Sequence, residues 1–342
     1  MQLYRESGNP MARGVSSFGR LTKINNSGLV VTVVLMVVGM TIAFPYFLTP
    51  INIETMAMGF IQEAIMALGM TIVIISGGID LSVSAVLPFT AIIIGLLFNR
   101  QVATPLAIVL SLVLATLIGV VNGVMINRLR AHPFIVTLAT LTAVKGVSLV
   151  ITEGGTISGF PQEFYFIGQG RVLGIPFPVL LFVVLAVLFS HLLRNHKFFQ
   201  QVYFVGGNQR AARLSGINVE GLRLVIYAIN SFLAGLAGII TASQYVSANT
   251  GFGLGSELRV ITTVIIGGAS LSGGKGSIGG TIWGIIFLAI IANAFVLSGA
   301  PTYWSDVVYG GMLLIAVLLE EYMRADRKAL RRRNWRDFLT SG

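Results

Sequence analysis

Cysteine is absent from all 342 residues, which removes disulfides, thiol nucleophiles, iron–sulfur clusters and cysteine-type zinc sites. Charge is almost as scarce. Only 11% of the residues are Asp, Glu, Lys or Arg, against about 25% in an ordinary soluble domain. Histidine occurs three times: His132 stands beside a proline, and His191 and His196 are five apart, the wrong spacing for one helix face. Neither GxSxG nor HExxH occurs, so hydrolase and zinc-protease motifs are missing. Residues 269–276 contain Gly274-Lys275, but a phosphate-binding loop needs Gly where Ala269 stands and Ser or Thr where Gly276 stands. No catalytic residue and no metal-ligand set is assigned, and the chain is expected to bind no nucleotide or other cofactor itself.

What is present is apolar: 55% of the residues are hydrophobic and the mean hydropathy is +0.85. The apolar mass is cut into runs of about 17–25 residues, each long enough to cross a hydrocarbon core of about 30 Å as a helix. The expected fold is therefore all-α, a polytopic membrane protein with about ten transmembrane helices. The runs are 28–47, 56–76, 81–98, 102–126, 133–151, 177–193, a seventh within the uncharged stretch after Leu224, then 257–266, 278–298 and 304–319. The first exceeds the roughly 7–15 residues of a signal-peptide core and is expected to stay as an anchor. The eighth covers only about 15 Å. It is expected to complete its passage as a broken helix through the glycine-rich residues that follow. Residues 152–176, rich in Gly, Pro and aromatics, form a structured external loop on this plan.

The net charge of +10 follows membrane topology rather than nucleic-acid binding, because basic residues collect in cytoplasmic loops. Residues 1–27 form a basic tail, the membrane domain is 28–319, and 320–342 form a second basic tail. With both termini cytoplasmic, ten crossings place 19 of the 23 Lys and Arg inside. Only Arg100 and Arg171 fall outside, while Lys145 and Arg259 lie in or at the edge of spans.

Few polar side chains interrupt the spans. Glu63 and Lys145 are the costly ones, since a charge at the bilayer centre costs about 2.5–3.5 kcal/mol and needs a partner or a watery cavity. An ion pair between them or with other groups is one reading, and a transport role the other. Asn122, Asn230 and Asn293, with Ser82, are candidates for a polar pathway or gate for a neutral, hydroxyl-rich solute; interhelical hydrogen bonding is the plainer role. Asp80 is placed to complement the start of the third helix or to act in gating. Gly77-Gly78 and Gly267-Gly268 each end an Ile-rich run and precede Leu-Ser, so that GGIDLS and GGASLS hint at an internal repeat. Gly273 and Gly274 extend the second motif.

The longest basic loop, residues 194–223, contains GGNQRAARLSGINV from Gly206 to Val219. Asn208, followed by Arg210 and Arg213 about a turn apart, presents a short positively charged helix with Ala211 and Ala212 between the arginines. Gly206-Gly207 and Gly216 punctuate it. Together Gly77 to Val83, this loop and Gly267 to Gly274 resemble, in order and spacing, the permease subunits of ribose-type bacterial ABC importers. The resemblance covers nearly the whole chain. It implies an ABC-permease fold of ten helices, paired with a second permease copy or a paralogue in the lipid of the bacterial inner membrane. It further implies a separate cytoplasmic ATPase that binds ATP and Mg, and an extracytoplasmic sugar-binding protein. On it the 206–219 loop holds the coupling helix that docks in the ATPase. Ser84 and Arg259 depart from the family pattern. The competing reading is an ion-coupled secondary carrier for a small polar solute, which would act alone and depend on Glu63 or Asp80.

Overall fold

Apolar segments in lipid must satisfy their backbone polar groups internally, and the helix does so within one segment. The computed structural model describes residues 14–301, 303–318 and 322. The first 13 residues of the N-terminal tail and, apart from Tyr322, the basic tail 320–342 lie outside the described residues. The fold is mostly helical: α1 (Gly14–Ala43), α2 (Pro50–Gly59), α3 (Ile61–Ile75), α4 (Val83–Asn99), α5 (Thr104–Leu129) and α6 (Pro133–Thr152) come first. A short α7 (Tyr165–Gln169) and the antiparallel pair β1 (Arg171–Val172) and β2 (Ile175–Pro176) lead to α8 (Phe177–Asn195). Then follow α9 (Lys197–Gly207), α10 (Gln209–Leu214), α11 (Val219–Tyr245), α12 (Ser256–Ile266), α13 (Ile278–Leu297) and α14 (Trp304–Leu318).

Among the described residues, α5, α6, α8, α11 and α13 are long and apolar enough to cross a membrane singly, and α2 with α3 does so as a pair bent by 50°. The second run thus starts earlier than its hydropathy suggests. Thr49 caps α2, and Phe60, at φ −112° and ψ 5°, leaves helical geometry and makes the bend. The apolar part of α1, from Ser27, is shorter, as are α4 and α14. Helix α1 itself begins at Gly14, so part of the polar tail and the first span share one helix.

Helix α11 is the buried axis, packed against α3, α4 and α5. Without a hydrophobic force between helices in lipid, close approach comes from small residues. On α5 the buried Ala107, Ser111, Ala115, Gly119 and Gly123 recur every four residues. A methyl on Gly123 would stand 2.8 Å from the Leu224 Cα, and one on Gly235 of α11 would stand 2.5 Å from the Ala115 Cβ.

The two ends of the bundle differ. One carries α7, the hairpin and an isolated bridge between Ile157 and Ala248. There Phe98, Phe160 and Phe164 pack edge to face, and the Gly168 amide donates to Ser243 Oγ at 2.7 Å. Leu173 and Gly174, both at positive φ, close the hairpin, and Arg171 on β1 pairs with Glu54 on α2.

At the opposite end α3 and α12 terminate alike. Gly77, at φ +81°, donates to the Ile74 carbonyl at 2.9 Å and Gly78 to Val73 at 3.0 Å; Gly268, at φ +90°, donates to Ile265 at 2.8 Å and Ala269 to Val264 at 3.1 Å. This is the same left-handed cap at both helix ends. It matches Gly77 with Gly268, one residue out of step with the pairing of Gly77 and Gly267 suggested by the two Gly-Gly dipeptides.

Candidate functional site

At that same end the three glycine motifs meet. The Gly274 amide donates to the Ile75 carbonyl at 2.7 Å, bringing the loop after α12 onto the end of α3. Gly206 of α9 fills the space between them: a methyl there would collide with the Ile75 carbonyl oxygen and stand 2.5 Å from the Gly274 nitrogen. A methyl on Gly273 would be 2.9 Å from the Cα atoms of both Gly206 and Gly77. Backbones approach this closely only where no side chain intervenes. Tyr203 of α9 adds a hydrogen bond from its hydroxyl to the Gly276 carbonyl at 3.1 Å. Gly267 belongs instead to the contact between α12 and α13, where a methyl would stand 2.6 Å from the Gly280 carbonyl oxygen.

The loop expected at 194–223 is largely helical. Helix α9 buries Phe199, Val202 and Val205 while its Phe204 stays exposed. Asn208 leaves the helix at φ −160°, ψ 98°, and its side-chain oxygen accepts from the Ala211 amide at 3.0 Å, capping α10. Six residues then carry Arg210, Ala211, Ala212 and Arg213, and Gly216, at φ +83°, turns the chain toward α11. Ala212 is buried. Arg210, Ala211 and Arg213 are exposed, and Leu214 is 85% exposed. The element thus presents a basic and apolar outer face and is tied to the bundle by its inner alanine. Arg213 pairs with Glu220 on α11; Asn127 on α5 donates to the Glu220 carbonyl at 2.9 Å and accepts from Arg223 at 3.2 Å. A polar cleft of about 650 Å³ opens among these groups, Arg130 and His132.

Just inside the glycine contact lies a buried polar chain. Asp80 Oδ1 accepts from the Ser82 amide at 3.0 Å and the Ser82 hydroxyl at 2.6 Å, and its Oδ2 accepts from Asn230 at 3.0 Å. Asn122 donates to Ser82 Oγ at 2.9 Å and accepts from Thr140 at 2.6 Å. Tyr227, fully buried, donates to the Ile79 carbonyl at 3.2 Å. Burial pushes the Asp80 carboxyl up from its ordinary value, and the Ser82 and Asn230 hydrogen bonds pull it back. One carboxylate thus ties the start of α4 to α11 directly and, through Ser82, to α5 and α6. Gly78 leaves room for the Tyr227 hydroxyl, which a methyl would approach to 2.6 Å.

The other polar candidates fall elsewhere. Glu63 pairs with Arg259 at 3.1 Å, which reaches Asp306 on α14 at 3.3 Å; Glu63 is buried and its second oxygen has no partner among the described residues. Lys145 is exposed on α6 and forms no ion pair among the described residues. Asn293 exchanges two hydrogen bonds with Asn52, at 2.8 and 3.0 Å, joining α13 to α2. Arg259 stood out in the sequence as an unexpected charge, which was a usable signal. Tyr227, Asn52 and Asp306 carried none.

A protein-family profile described as "Branched-chain amino acid transport system / permease component" matches residues 52–317. The ribose import permease protein RbsC of Bacillus subtilis (strain 168) is 38% identical over 84% of this chain and 89% of its own length. The L-arabinose ABC transporter permease protein AraH of Azospirillum brasilense is 32% identical over 90% and 91%, and RbsC of Escherichia coli (strain K12) 35% over 89% and 95%. No solved structure matches the chain significantly. The profile covers most of the chain, from α2 to α14, and the glycine motifs that carried the resemblance converge at one end of the fold: the chain belongs to this family of ABC-transporter permease components.

Proposed function

We infer that this chain is the transmembrane permease subunit of an ATP-driven ABC importer for a small neutral monosaccharide, of the aldopentose class that its relatives' names share. The family description names amino acids, but relatives covering 84–90% of the chain name ribose and arabinose. ATP hydrolysis belongs to a separate subunit. A binding protein outside the membrane delivers the sugar, and a second permease copy completes the pathway. The membrane is the bacterial inner one, with both chain ends and α10 in the cytoplasm. This topology has ten crossings. In its support, Arg259 near the start of α12 meets Glu63 near the start of α3, while Gly274 meets Ile75 at the other end of α3. Residues 259–274 therefore run the length of α3, the longer arm of the bent pair that is long and apolar enough to cross. The left-handed caps shared by α3 and α12 support an internal repeat in the register that pairs Gly77 with Gly268, not the one that pairs the two Gly-Gly dipeptides.

The observation that carries the coupling role is the seating of α9 and α10: an exposed basic helix stands next to a three-way glycine contact with no side chain to absorb movement. ATP-driven closure of the partner would push α10 as a rigid body. The glycine contact would pass that motion to α3 and α12, and the Asp80 chain to α4, α5, α6 and α11, so that the pathway opens to alternate sides. The test is labelled-pentose uptake into proteoliposomes holding this chain, its ATPase and its binding protein. Uptake that requires ATP and all three supports the assignment. Uptake by this chain alone under an ion gradient overturns it.

A further inference from the structure

A groove runs along the outer surface of α8 where it meets α13. Its volume is about 460 Å³. Phe182, Ala186 and Val187 of α8 and Ile282 of α13 form an apolar wall, and His191, Arg194 and Asn195 form a polar floor at the end of α8. From Phe182 to Arg194 the groove spans about 18 Å at roughly 1.5 Å per residue. That is close to one leaflet of a hydrocarbon core about 30 Å thick. The change from apolar wall to polar floor therefore falls where the span ends and headgroups begin.

The charges point to the occupant. No carboxylate lines the groove, and the Arg194 side chain makes no ion pair or hydrogen bond among the described residues. His191 Nδ1 is held 3.0 Å from the Asn195 amide nitrogen, which fixes both side chains beside Arg194 on the groove floor. A phosphate at the headgroup level meets a guanidinium and neighbouring polar donors, and a chain of methylenes above it meets Val187 and Ile282. We propose that this groove is a binding site for one anionic phospholipid, with its phosphate at Arg194 and an acyl chain along the apolar wall between α8 and α13.

The test is native mass spectrometry of the purified chain after exchange into detergent with equal amounts of phosphatidylglycerol and phosphatidylcholine. The expected result is one retained phosphatidylglycerol in preference to phosphatidylcholine. Arg194→Gln should cut that retention about fivefold, since an interfacial basic residue is worth about 1 kcal/mol toward anionic lipid. Val187→Trp, which fills the apolar wall and leaves every charge in place, should also reduce it. Arg100→Gln, in the turn after α4 at the hairpin end, should leave it unchanged and controls for folding and for general charge. Equal retention of the two lipids, or retention unaffected by both groove variants, would overturn the proposal. So would efficient cross-linking between copies carrying Val187→Cys in native membranes, because the groove would then be covered by protein.

Discussion

Replacing Gly206 by Ala adds one methyl group at the point where α3, α9 and the loop after α12 touch. The new Cβ would lie 2.5 Å from the Gly274 nitrogen and closer still to the Ile75 carbonyl oxygen, whereas real Cβ atoms essentially never come within 3.0 Å. Both obstacles are backbone, so no side chain can swing aside. The 2.7 Å hydrogen bond between those two atoms must open. Overpacking costs about 1–3 kcal/mol and a buried donor and acceptor left unmade about 1–3 kcal/mol, against about 1 kcal/mol regained from helix propensity. The net loss is about 1–5 kcal/mol, or about 2–10 °C at roughly 2 °C per kcal/mol. Gly207, the next residue, has nothing within 4 Å of an added Cβ. Gly207→Ala should therefore match or slightly exceed wild-type stability, while the bulkier Gly207→Val should lower ATP-driven uptake by obstructing the docked partner. Thermal unfolding of the purified chain, followed by fluorescence-detected size exclusion, separates the two positions. A Gly206→Ala protein as stable as wild type, or Gly207→Ala as unstable as Gly206→Ala, would refute the packing described for this contact.

The remaining expectations follow from the polar groups. Arg259→Ala leaves Glu63 buried without a counter-charge and should cost about 3–5 kcal/mol; adding Glu63→Gln should recover most of it, and a double variant as unstable as the single would contradict the pairing. Asp80→Ala removes the acceptor for Ser82 and Asn230 and should cost at least about 1–3 kcal/mol, with Asp80→Asn milder because its carbonyl still accepts from the Ser82 amide. Comparing unfolding midpoints of the two variants checks this. Arg213→Glu breaks a pair whose partners are both about half exposed, so stability should change by no more than about 1 kcal/mol, while uptake normalised to protein abundance falls severalfold. A loss of stability equal to the loss of uptake would argue that Arg213 serves the fold alone.

Much of the fold could be read from hydropathy because lipid imposes one solution on a long apolar run. The runs at 102–126, 133–151, 177–193 and 278–298 each fall within a residue or a few of α5, α6, α8 and α13. Hydropathy could not locate the bend at Phe60, since a bent helix and a straight one bury the same residues. Nor could it show that residues 197–207 form an amphipathic helix lodged in the glycine contact, because the neighbours of Gly206 are some 130 residues earlier and nearly 70 later in the chain. The polar candidates illustrate the same limit. Glu63 was recognisable as a charge needing company, but its partner Arg259 is nearly 200 residues distant, and Lys145, the other intramembrane charge, is exposed on a different helix. Asn293 and Asn122 read alike in sequence. In the fold Asn293 closes a reciprocal amide pair, and Asn122 joins the chain leading to Asp80.

The central claim is that this chain moves sugar only when a separate ATPase acts on it through α10. The most direct measurement is gentle purification of the tagged chain from its native membrane, identification of what accompanies it, and uptake assays on that material with and without ATP. Wild type should retain a stoichiometric ATPase partner and Arg213→Glu should retain severalfold less of it, with pentose uptake dependent on ATP and the binding protein. A chain that purifies alone and still concentrates solute in liposomes under an ion gradient would contradict it.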